Sequence, residues 1–591
     1  MLHTSGLSRR GVLARRPLRI FPFDPALDRF APPIVASVPF EHVEPGPVGR
    51  LLEVVDLDPS TGREFVPLDL DAPDVLLNQG LAPSESSWAF HQQMVYAVAS
   101  RVLHACESSL GRAIVWRDGG RLVIVPHADT GNAWFVRDLN TVFLGTARAL
   151  PDRKATNLVG QDVYFCLSFE AIAHELTHAV LWEVGRWDGD TLENVALQEG
   201  LADLVALLVR CTEPVLLART IRECGLKLGS HPNLFTIGEQ FGTAAGGKGP
   251  VRRYPLPVRD ADGEADPDGT GATGASRADD ADPWLLGGQL TSALLEAFAA
   301  VVEARHADLF RWSGTDPEAK WFHPDLVSRL ADGAASLAGN LLRSAVGALD
   351  FLPPGAPTIG DFVRAFVTAD QAMAGPDHDV LRACVVQACQ IRGLVPAEVG
   401  SLAEEAIAWP AATIDPAVTL PHVAEVLQAT AQALEHRRWC GIDRDVAADL
   451  GEKVARTRRA ADPRWRRDIG RYVTEQRQAF GWPGDDPIKV TNVTGTFQTD
   501  GNGALQARVI VHLSRPTFVA PSRPGRRGGP GAWGATLLAD SEGSIDYVIC
   551  PFDPPPRRKA RLRPAARGSA TNGEAARLER NELLRARLHA T

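Results

Sequence analysis

An α+β fold is the class this sequence predicts, and two observations predict it. Apolar residues at three- and four-residue spacing, the period of a helix, run through about 87–111, 166–184, 193–211 and most of 284–480. Short alternating runs beside glycine turns, the pattern of strands, lie between about 112 and 145 and return after 485. At 591 residues the chain is also too long for one hydrophobic core, so several domains are expected.

Residues 1–85 are rich in proline with short apolar runs and read as an extended N-terminal arm carrying a few strands. Residues 86–395 read as a core domain. Its first helix begins near Ser87, RAIVWRDGG and RLVIVPHAD read as strands about a Gly-Gly turn, and NAWFVRDL with TVFLG reads as a second pair. Helices follow at about 166–184 and 193–211. Between 244 and 283 the composition turns to Gly, Asp, Ala, Thr and Pro, which predicts a flexible loop; its aspartates lack the ligand spacing of an EF-hand. Residues 396–484 read as a helical region, 485–553 as a small β domain with strands in IKVTNVTGTFQ, ALQARVIVHLS and DYVIC, and 554–591 as a basic disordered tail.

Composition narrows the function classes. A formal charge of -10 argues against wholesale nucleic-acid binding. The eight cysteines are scattered without a CxxC pair, which predicts reduced, mostly buried thiols and no cysteine-based zinc site. Ser8-Arg9-Arg10-Gly11-Val12-Leu13 looks like the start of a twin-arginine export signal, but ARRPLRIFPFDP follows where an apolar run is required. A cytoplasmic location without a membrane span is expected.

The chemistry concentrates in FEAIAHELTHAVLWEV and NVALQEGLADLVALLV. His174 and His178 lie four apart, so on a helix both imidazoles reach one ion from one face. Glu175 sits beside the first of them, where its carboxylate can act on an attacking water without being a ligand. Glu199 follows His178 by twenty-one residues, enough for a loop and a returning helix, and Asp203 lies four beyond it on the same face. A glutamate and an aspartate in so apolar a frame are expensive unless a cation or donors satisfy them. One zinc ion held by His174, His178 and Glu199, with Asp203 hydrogen-bonded to a ligand imidazole, satisfies both.

HELTHAV followed about twenty residues later by ExxxD resembles the thermolysin-like gluzincin metallopeptidases. Gly131-Asn132-Ala133-Trp134-Phe135 resembles the substrate-binding edge strand of that family. The resemblance spans about residues 85–210, and around it the chain is similar to a group of uncharacterised bacterial proteins. It implies a gluzincin-type core of a small sheet plus active-site helices, with Glu175 as general base, Asn132 and Ala133 as substrate-binding residues, and a peptide or protein as substrate. For Asn132 a simple turn role after Gly131 stands as the alternative. The family's transition-state histidine has no counterpart where it is sought: Asp282-Pro283-Trp284 stands there, and His231, His306 and His323 are the nearest downstream imidazoles. A non-catalytic zinc scaffold that binds a partner is therefore the rival reading. His104 and His127 read as surface or satisfied polar residues.

Overall fold

The structure is a computed structural model that describes residues 14–550, with interruptions of which the longest are 257–281 and 519–529. The expected basic tail 554–591 lies outside the described residues, as does most of the loop expected at 244–283.

Alternation in RRPLRI and IVASVP places one face of each run indoors, and the two form an antiparallel pair, β1 (Arg15–Ile20) and β2 (Ile34–Pro39). Leu18, Ile20, Ala36 and Val38 of this pair join the principal core, so the stretch expected as an extended arm is packed structure. It also supplies β3 (Leu52–Val54) to a four-stranded sheet with β4 (Leu122–Val125), β6 (Thr141–Leu144) and, at the edge, β5 (Ala133–Val136). β3, β4 and β6 run parallel, whereas β5 returns antiparallel to β6 through a 3-10 turn and a left-handed Asn140. RAIVWRDGG does not form the expected strand: Ile114 and Trp116 are buried as irregular chain, with the Trp116 indole donating to the Leu51 carbonyl at 2.9 Å. A further short pair, β7 (Thr146–Arg148) and β8 (Asp162–Tyr164), follows.

Ser87 caps the first long helix, Trp88–Leu110, its hydroxyl accepting from the Phe90 N–H at 3.3 Å. Gly111 ends that helix at φ +63°, and a Cβ there would lie 2.3 Å from the Phe497 carbonyl, so both the left-handed turn and the close crossing require glycine. The helices Phe169–Gly185, Leu192–Cys211, Pro283–Ser313 and Pro324–Gly347 pack with it around the principal core. Helix 283–313 is long and apolar enough to cross a membrane by composition, which the sequence reading missed; 61% of that window is buried within the protein.

The C-terminal part does not divide at 484 as the sequence suggests. Val423–Trp439 and Arg444–Glu475 lay Val423, Val426, Trp465, Ile469 and Val473 on one face of a four-stranded antiparallel sheet, and together they form a second core. That sheet is β11 (Lys489–Thr499), β12 (Leu505–Phe518), β13 (Pro530–Ala539) and β14 (Ile545–Ile549) in sequential order. β13 has no counterpart in the sequence reading, because PGAWGATLLA opens on proline and glycines that weaken a strand pattern. The other face of the sheet sends Ile510, Leu538 and Ile549 into the principal core. Thr496 and Thr536 hydroxyls donate to the Leu110 and Leu352 carbonyls across this junction, each at 2.6 Å.

The first helix is also anchored by charge. The Arg112 guanidinium donates both of its terminal nitrogens to Asp350 at 2.7 Å, with both side chains buried. Arg112→Ala strands the Asp350 carboxylate in the interior and is expected to cost about 3–5 kcal/mol. Urea unfolding measures it, and Arg112→Lys should recover only part, since an ammonium cannot make the paired contact.

Candidate metal centre

Helix 169–185 is apolar on nearly every face because it is sandwiched between the sheet and helix 192–211. Its polar residues therefore stand out, and they converge. Thr191 caps helix 192–211, accepting from the Asn194 N–H at 3.2 Å, and so fixes where Glu199 and Asp203 fall around its axis. Gly200 sets how near that helix comes to 283–313: a Cβ on it would lie 2.6 Å from the Gly287 carbonyl, and one on Gly287 would lie 2.4 Å from the Ala196 carbonyl. The glycine of QEGLAD is thus a packing residue, and Thr291 ties the contact by donating to the Gly200 carbonyl at 2.9 Å.

His174, His178 and Glu199 come together. The two Nε2 atoms are 3.1 Å apart, His174 Nε2 is 3.6 Å from Glu199 Oε2, and His178 Nε2 is 3.6 Å from Glu199 Oε1. Four-coordinate zinc at its usual nitrogen and oxygen distances separates neighbouring ligand atoms by roughly 3.3 Å. The donor set and its spacing fit such an ion.

Asp203 is buried behind His174, with Oδ1 2.7 Å from Nδ1. That contact places the ring's own proton on Nδ1 and turns the Nε2 lone pair toward His178 and Glu199. Two residues that the sequence reading missed complete the arrangement. The Arg252 guanidinium donates to both Asp203 oxygens at 2.6 and 2.7 Å and to Glu199 Oε2 at 3.2 Å. The Tyr254 hydroxyl donates to Asp203 Oδ2. Both lie inside the stretch expected as a flexible loop, where β10 (Arg252–Arg253) instead pairs with β9 (Thr236–Ile237) and Tyr254 is buried. The sequence signal was present as VRRYPLP amid the glycines, but a cation's partner is not visible in a linear pattern.

The electrostatics follow from these contacts. Burial works against charging His174, yet Asp203, with Glu175 and Glu199, outweighs it and raises its pKa. Burial and the neighbouring His174 ring push His178 down to about 3. For Asp203 burial alone pulls upward, but His174 and Arg252 overcome it and hold the carboxyl at about 2. Glu175 is raised, first by burial and then by Glu199, against the pull of His174. The cluster thus favours a proton on His174, keeps the His178 ring neutral, and makes the Glu175 carboxyl a stronger base than an ordinary glutamate.

Glu175 faces the sheet edge. The Asn132 carbonyl accepts from the Gly145 N–H at 3.0 Å, toward β6, so alternation turns the backbone groups of Ala133 and Phe135 to the open side. There the Phe135 backbone comes near enough to the Glu175 carboxylate to favour its charged form, though burial outweighs that pull. Asn132 itself is exposed at the start of this edge, and Ala133 is buried.

Among the described residues no hydrogen bond or ion pair joins His231, His306 or His323 to the cluster. His231 contacts Glu223 at 3.2 Å, His306 the Val302 carbonyl at 2.7 Å, and His323 caps helix 324–347. Asp282-Pro283-Trp284 is a helix start: Asp282 accepts from the Trp284 N–H at 2.9 Å, proline occupies the first turn, and the indole is 53% exposed. All eight cysteines are free thiols.

The sequence matches no protein-family model and no curated protein. Among solved structures, the fold is similar to the precursor of protealysin, a metalloproteinase from Serratia proteamaculans, at 13% identity and a TM-score of 0.31, over 59% of this chain and 90% of that one. A likeness of that size carries no chemistry to this chain; the contacts described above do.

Proposed function

We propose that the chain is a zinc-dependent hydrolase with a gluzincin-type core, and that it cleaves peptide bonds. The observation that carries this reading is the spacing of His174 Nε2, His178 Nε2 and Glu199, three donors 3.1–3.6 Å apart in the chemistry zinc selects. Bound zinc supplies a polarised carbonyl and a water acidic enough to lose its proton near neutrality. The protein's own groups do the rest. Glu175 takes the proton of the attacking water and returns it to the leaving amine, a task suited by its raised pKa. Asp203 orients His174, and Arg252 holds Glu199 and Asp203 against mutual repulsion. The outer edge of β5 receives an extended peptide as an added strand through the Ala133 backbone, with the Asn132 side chain at its entrance.

A second reading, a zinc-binding scaffold with weak or no catalysis, draws on the engagement of His231, His306 and His323 elsewhere. Elemental analysis of the purified chain beside His178→Ala, with casein hydrolysis in parallel, tests the site. His178→Ala is expected to lose one zinc per chain and all measurable peptidase activity. Equal zinc in both proteins defeats the metal centre; zinc lost without any wild-type cleavage selects the scaffold.

A further inference from the structure

Outside that centre a second group of donors meets in the interior. His91 lies in the first turn of helix 88–110, His127 follows β4, and Cys166 sits in the 3-10 turn leading into helix 169–185. All three are buried, at 0%, 3% and 0% exposure. His91 Nδ1 is 2.8 Å from His127 Nε2, and Cys166 Sγ is 3.8 Å from the same nitrogen. Among the described residues only this trio and the His174 group gather three such donors closely enough to share an ion.

Proton accounting makes the trio unusual. A neutral imidazole has one N–H. Asp56 Oδ1, 2.6 Å from His127 Nδ1, draws that ring's proton outward, and the Glu85 carbonyl, 3.2 Å from His91 Nε2, draws the other. What remains inside is a lone pair on His127 Nε2 and another on His91 Nδ1, facing each other at 2.8 Å beside a sulfur. Protonating that ring would bury a charge away from solvent, so a proton is not an easy relief. A cation is.

We propose that His91, His127 and Cys166 hold a buried zinc-class ion of their own, distinct from the His174 centre and with a structural role. Tetrahedral ligation by nitrogen and thiolate separates donors by roughly 3.3–3.5 Å, which the observed 2.8 and 3.8 Å bracket. Charge closes as well: the two positive charges of the ion meet the Cys166 thiolate directly and the Asp56 carboxylate through His127. Gln92 Nε2 holds the other Asp56 oxygen at 3.0 Å. Binding releases the thiol proton to solvent and leaves both imidazoles neutral. A Cys–His–Asp hydrolytic triad fits the same residues less well. The thiol is fully buried, and His91, not Cys166, takes the short contact with His127 Nε2. The ion would join β4, the first long helix and the entry to helix 169–185, fixing the start of the HELTH segment.

Cobalt distinguishes the two centres, because the His174 group contains no sulfur. Full-length chain produced in cobalt-supplemented medium is expected to show thiolate-to-cobalt charge-transfer absorption. His178→Ala should keep that absorption and one ion per chain, while Cys166→Ser should lose it. Absence of the band in cobalt-loaded wild type, a metal-free but folded His178→Ala, or a band that survives Cys166→Ser each overturns the proposal. If Cys166→Ser does not fold, the wild-type and His178→Ala measurements decide by themselves. This outcome is independent of peptidase activity, so either assignment can fail without the other.

Discussion

Glu175→Gln is expected to keep its zinc and lose peptide hydrolysis by about 10²–10⁴-fold. The amide is nearly the same size, so helix 169–185 and the imidazoles it carries are left in place. What it removes is the ability to accept a proton from water. The side chain lies next to His174 in sequence but is not among the three ligands, and this makes the variant diagnostic. A fall in kcat with little change in KM and unchanged zinc places the defect in proton transfer. A proportional loss of zinc would instead make Glu175 a ligand, and retained hydrolysis would remove it from the mechanism.

Asp203→Ala is expected to be the most damaging single change at the centre for stability. It removes one buried carboxylate that serves His174, Arg252 and Tyr254 together. The guanidinium is then left half-buried beside Glu199 with no second anion, a loss on the order of 3–5 kcal/mol. His174 also loses the partner that fixes its proton on Nδ1, so zinc affinity should fall by about 10–100-fold. Thermal denaturation with and without chelator, paired with zinc titration, separates the two effects. Asp203→Asn is the informative companion: it retains an acceptor for His174 but not the charge that Arg252 meets. If Asp203→Ala unfolds at the wild-type temperature and binds zinc equally well, the aspartate is not the hub that the contacts indicate.

The site's legibility in the sequence varied with the kind of information each residue carries. His174 and His178 were legible because helical periodicity alone puts residues four apart on one face. Glu199 and Asp203 were legible because two carboxylates in NVALQEGLADLVALLV conflict with their apolar frame, and such a conflict asks for a cation. The helices carrying them were placed within a few residues for the same reason. Arg252 and Tyr254 were not legible: they come from a glycine-rich stretch with little periodicity, and their value lies in a partner 49 and 51 residues away. His127 read as an ordinary polar residue, since nothing local to PHAD shows that His91, Asp56 and Cys166 close around it.

The sequence by itself determined the mixed α and β character, the two helices that bear the HELTH and QEGLAD residues, and which side chains on them share a face. These are local properties, set by periods of 3.6 and 2 residues. Only the tertiary structure decided that β1, β2 and β3 contribute to the principal core, that helices 423–439 and 444–475 share a core with the late sheet, and that an arginine and a tyrosine stand behind the metal-ligand candidates. Those outcomes depend on which buried charge finds which partner and which apolar faces meet. Such pairings are long-range, and no window of neighbouring residues contains them.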